Sequence, residues 1–218
     1  MKKIIICASI LAITPLSANA VDWGNIFGIM VNNAVQTQAS KTTATADVSK
    51  TLNDLESQAK AIDKSVQDSF LAIASKLSAE KDLEALENKL DSIVANNKTT
   101  DSEKAELIAQ VFNDYTKELK NNKQSVVSII ENMTESERAD LAKYITAIAQ
   151  DGQNYPNVAK QSISTASTAM KYASKAEEAV KIYKDIKSTA TELTNSAKTI
   201  INVANQLKSI AKTAGLTM

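Results

Sequence analysis

Two long stretches of this chain, residues 29–151 and 157–214, contain neither glycine nor proline. Hairpins, sandwiches and barrels need Gly, Pro or Asn turns at every strand end, and strands rich in β-branched and aromatic residues. Four Gly, two Pro and 4% aromatic residues in 218 cannot supply them. The expected class is all-α, and the long uninterrupted runs point to an elongated bundle or antiparallel coiled coil, with two long helices and shorter ones between them.

The start of the chain has its own logic. Met1-Lys2-Lys3 is basic, Ile4 to Ile13 is an apolar run, and a polar stretch ends in Ala18-Asn19-Ala20. This is the pattern of a secretory signal cleaved after Ala20. The apolar run is about half the ~20 residues that a spanning helix needs. Export to a periplasm, a cell surface or the medium is therefore expected, with a bacterial source. Cys7 lies in the apolar part of the signal, so the chain from Val21 onward is free of cysteine. That excludes disulfide scaffolds, thiol enzymes and thiolate metal sites. The absence of histidine removes Ser-His-Asp and Cys-His nucleophiles and His-ligated zinc or haem. No cofactor is expected.

Residues 21–36 read as a short amphipathic helix, with Trp23, Ile26, Phe27, Met30 and Val31 recurring at three-four spacing. Two destinations suit such a helix: the apolar end of the bundle, or a partner groove or membrane interface. Residues 37–218 read as one helical domain. An apolar seam from Val48 through Leu55, Ile62, Val66 and Phe70 to Leu77 marks a long helix over 37–77, with a stutter at Phe70. Shorter helices are expected over 78–150; whether 48–95 is one helix or two stays open. Thr100-Asp101-Ser102-Glu103 and Thr134-Glu135-Ser136-Glu137 both have the capping-box form of a helix start. The pattern weakens over Lys120 to Gln124.

Asp151-Gly152-Gln153-Asn154-Tyr155-Pro156 reads as a turn, because it concentrates the only strong breakers of the interior. After it, Ala190, Leu193, Ala197, Ile200, Ala204, Leu207, Ala211 and Ala214 continue a three-four alternation predicting one helix over 157–214, closed by Gly215 as a C-terminal cap. Such a helix would be ~87 Å long, against a diameter of about 40 Å for a compact globule of this size. The expectation is therefore a rod, with 37–77 antiparallel to 157–214.

Charge is unevenly placed. Residues 47–140 hold 19 acidic against 12 basic side chains, net −7, while 157–218 hold nine Lys against four acids, net +5. Opposite charge within one molecule accounts for this split. Lys171, Lys175, Lys181, Lys184 and Lys187 form a candidate patch for an anionic surface, though Glu177, Glu178 and Asp185 interrupt it. A single Arg among 24 Lys argues against base or phosphate recognition in nucleic acid. Ser-x-x-Lys occurs at Ser57/Lys60, Ser78/Lys81 and Ser209/Lys212, without the companion motifs that give the spacing meaning. The carboxylates of Glu80, Asp82, Glu84, Glu87 and Asp91 fall at solvent-facing spacings around Leu83, Leu86 and Leu90.

The function expected from these residues is that of an exported, non-enzymatic interaction protein: an adhesin, a secretion-apparatus accessory or a periplasmic scaffold. It would act through a protein partner, with self-association through the long helices as a further option. The competing class is a membrane-active α-helical toxin or toxin component, docking through Trp23 to Val35 or through Ile129 to Met133. An enzyme using carboxylates or Ser/Lys is the residual alternative.

Overall fold

In the last helix, α6 (Ala176–Thr213), the sequence pattern becomes packing directly. Ala190, Ala197, Ala204 and Ala211 repeat every seven residues, and each is at most 1% exposed. Ile200, Leu207 and Ala214 lie three residues on and are buried too, so one seam runs along the helix with small residues at alternate layers. Small side chains let a second helix approach closely, and that second helix is α5 (Glu135–Met170).

The computed structural model describes residues 43–96, 98–99, 101–170 and 176–218. Six helices follow in order: α1 Thr43–Leu77, α2 Glu80–Val94, α3 Asp101–Asn121, α4 Lys123–Glu131, α5 Glu135–Met170 and α6 Ala176–Thr213. No described residue is in a strand, so the chain is all-α. Residues 1–42, which hold the predicted signal, the amphipathic segment with Trp23, and positions 37–42 of the expected long helix, lie outside the described residues.

Helix α5 is central, packing on α1 and on α6. Its register against each follows from pairs of contacts. Lys76 Nζ of α1 is 4.0 Å from Asp140 Oδ2 of α5. Eleven residues back along α1 and eleven forward along α5, Ser65 sits beside the carboxyl of Asp151. On the other side, Arg138 meets the carbonyls of Ala214 and Gly215. Fourteen residues along α5 and fourteen back along α6, Gly152 lies against Ile200 and Ile201. Both pairs are antiparallel.

These registers correct the sequence reading of the second half. No turn forms at 151–156: α5 runs through Gly152 and keeps Pro156 inside it. The expected helix over 157–214 is instead the end of α5 and all of α6, which double back on each other as a hairpin. Lys171 and Lys175 lie outside the described residues. Proline in a helix interior removes one N–H and crowds the carbonyl four residues earlier, here that of Gly152, at a cost of ~3 kcal/mol. Burial of Tyr155, Val158 and Ala159 around it, each at most 3% exposed, outweighs that local penalty. Gly152 serves close approach, because a Cβ there would lie 2.9 Å from Cγ1 of Ile201 and 3.2 Å from Cγ2 of Ile200.

The short helices cover one end of this three-helix core. From Ser69 to Ala74 every residue of α1 is buried, so the helix is enclosed on all sides there. Phe70 stacks on Phe112 of α3 with centroids 3.8 Å apart and meets Tyr115 edge-on at 5.3 Å. Residues 48–95 are two helices, separated at Ser78 and Ala79, where Ala79 is extended (φ −70°, ψ 154°).

Candidate functional site

The C-terminus of α6 and the N-terminus of α5 meet at one end of the hairpin, built by two local motifs and one long reach. Gly215 has φ +72°, Leu216 N–H donates to Ala211 O at 3.0 Å, and Gly215 N–H donates to Lys212 O at 3.0 Å. That is the Schellman termination expected at Gly215. The capping box at Thr134 forms as well. Glu137 Oε2 accepts from the backbone N–H and the hydroxyl of Thr134, both at 2.8 Å, and Glu137 N–H donates back to Thr134 Oγ1 at 3.3 Å. The Thr134 N–H and hydroxyl hold the Glu137 carboxyl below its ordinary range. Arg138, the one arginine, donates from Nη2 to Ala214 O and Gly215 O, each at 3.1 Å. At the other candidate box, the capping position Thr100 lies outside the described residues.

Beside this end a cleft of about 890 Å³ opens between α1, α4 and α5. Ser125, Ser128 and Ile129 present one side of α4 to it, with Asn132 and Met133 just beyond. Val126 and Ile130 turn the opposite side of α4 into the core and are at most 3% exposed. Ile129 is the apolar residue left outside, 38% exposed. Only two charged residues line the cleft, Lys76 and Glu137.

The residues singled out from sequence distribute unevenly. Trp23, Ile26, Phe27, Met30 and Val31 lie outside the described residues. Of the candidate basic patch, Lys184 and Lys187 are exposed on α6, where Lys181 also lies. Ser78 Oγ pairs with the Tyr115 hydroxyl at 2.5 Å, and Lys81 is exposed. Burial pushes the Tyr115 phenol up to about 12. On α2, Asp82, Glu84 and Asp91 are exposed and Glu87 is half-buried. Among the described residues no three carboxylates come together as a metal site.

Sequence reasoning missed Asp151 and Arg138. Asp151, read as part of a turn, faces Ser65 of α1, and its Oδ2 is buried without a hydrogen-bond partner. Burial raises this carboxyl above its ordinary value. No family model, curated protein or solved structure matches the chain.

Proposed function

We propose that this protein is an exported, non-enzymatic interaction protein, an adhesin, secretion-apparatus accessory or periplasmic scaffold built as an elongated bundle. Export rests on the Met1 to Ala20 signal pattern. The observation that carries the contact role is the α4 cleft. In a chain with 23% charged residues, the cleft joins an exposed Ile129 and a half-buried Met133 to hydroxyl and amide side chains, with charge confined to Lys76 and Glu137. Depletion of charge around apolar residues is what distinguishes the centre of a protein interface from ordinary surface.

The test is a photo-crosslinking residue placed at Ile129 and, as a control, at the exposed Leu107 of α3. In the native cell envelope the Ile129 probe should yield a discrete crosslinked band that a neighbouring Ser128→Glu substitution suppresses. Equal, diffuse labelling from both positions would count against the cleft as a contact surface.

The second reading is a membrane-active helical toxin, motivated by the amphipathic Trp23 to Val35 segment. No described helix is long and apolar enough to cross a membrane, so this reading needs that segment, or oligomers, to engage lipid. Co-sedimentation with vesicles, with and without residues 21–35, separates the two: binding lost on removal favours the toxin, and no binding by either form ends it.

A further inference from the structure

A smaller recess of about 260 Å³ lies where α3, α4 and α6 meet, away from the α4 cleft. Lys120 at the end of α3 and Lys123 at the start of α4 line it from one side. Asn205, Gln206 and Ser209 of α6 line it from the other, and Ile210, 3% exposed, is buried beneath. The segment from Lys120 to Gln124, which merely interrupts the apolar pattern in sequence, thus brings two lysines to the same recess as Asn205, Gln206 and Ser209 of α6.

From this convergence we infer that the recess is a binding site for a tetrahedral oxyanion, a phosphate or sulfate group. Each polar side chain lining it can donate: three N–H from each lysine, two from each amide and one from the hydroxyl. No carboxylate lines it, and the first turn of α4 carries none. Neither lysine is in an ion pair within the described structure, whereas Lys117, one turn earlier, is paired with Asp114 at 3.3 Å. Both lysines sit in the part of the chain that is net −7 by residue count, so their charge is set against the local trend. Ammonium groups bind phosphate as point charges, without the fork of arginine. The site therefore reads charge and size, and its affinity falls as salt rises. This inference concerns a small anionic group and stands apart from the protein contacts of the α4 cleft.

The phosphate group can belong to a soluble molecule or to a lipid headgroup, and the experiment has an arm for each. The ¹⁵N-labelled full chain is titrated with inorganic phosphate, then with vesicles of phosphatidic acid in phosphatidylcholine against phosphatidylcholine alone. Saturable shifts are expected at Lys120–Lys123 and Asn205–Ser209. Lys120→Gln with Lys123→Gln should weaken phosphate binding about tenfold, as should Asn205→Ala with Ser209→Ala in kind if not in size. Lys184→Gln with Lys187→Gln removes the same charge from elsewhere on α6 and should leave binding unchanged. If all three variants weaken binding alike, or no localised shift develops, the site does not exist. Binding by phosphate alone assigns a soluble ligand; added retention on phosphatidic acid vesicles, lost in the Lys120/Lys123 variant, assigns a headgroup.

Discussion

Three residues of α5 and its neighbours decide how closely the helices pack, and each makes a distinct prediction. Gly152→Ala gains helix propensity of ~1 kcal/mol but sets a Cβ 2.9 Å from Ile201. Ile is β-branched and stiff at χ1 in a helix, so it cannot swing away, and overpacking of this kind costs about 1–3 kcal/mol. Urea unfolding should show a net loss of stability. Arg138→Ala removes two charge-assisted hydrogen bonds to the carbonyls of Ala214 and Gly215, just past the end of α6. A loss of about 1.5–3 kcal/mol is expected from urea midpoints at unchanged slope, with Arg138→Lys in between because a lysine lacks the planar fork.

Asp151 predicts a pH dependence at the same scale. Its carboxyl is raised above 3.8 by burial, so ionisation is harder in the folded chain than in the unfolded one. The unfolded state loses its proton first as pH rises, and stability falls from the unfolded value up to the folded one, then levels off. Asp151→Asn cannot ionise. Compared across pH 3 to 7, the wild type should lose stability relative to the variant over that window and keep a constant deficit above it. Parallel curves would show that Asp151 is solvated in both states. None of these roles is legible from the residue alone. Gly152 and Pro156 carry the strongest turn chemistry in the chain, yet a close approach from α6 and buried neighbours override it. Arg138 acts on carbonyls about 76 residues away, a distance at which sequence spacing says nothing.

At the scale of elements, what could be read was whatever depends on period or on local hydrogen bonds. The seven-residue alanine repeat of α6, the Thr134 capping box and the Gly215 termination are all local, and all three form as expected. The stutter at Phe70 marks where α1 ceases to be one-sided and is enclosed by α3 and its aromatic residues. The exposure of Ile129 beside buried Val126 and Ile130 was open in sequence, because the apolar run fits either side of a short helix. Pro156→Ala tests the continuity of α5. The new N–H can donate to the Gly152 carbonyl, and the ring clash disappears. Thermal unfolding should show stabilisation of roughly 1–3 kcal/mol; had 156 begun a new helix at its first turn, where proline is preferred, the same change would be neutral or unfavourable.

At the scale of the whole molecule, helix length sets the shape that solution measurements should find. Thirty-six residues of α5 and thirty-eight of α6 correspond to axes of ~54 and ~57 Å, longer than the ~40 Å across which a compact chain of this size would extend. Because α5 pairs antiparallel with both α1 and α6, the three add thickness without adding length, and α2 to α4 thicken only the end around Phe70. Small-angle scattering of residues 21–218 should therefore give a radius of gyration above the ~16 Å of a compact globule and a distance distribution skewed to long vectors. The Gly152–Pro156 segment makes the measurement discriminating: if α5 bent sharply there, the far half of the α5–α6 hairpin would fold back and the radius would drop to the globular value. Self-association is read from the same data, since an end-to-end assembly raises the forward scattering with concentration while a monomer does not.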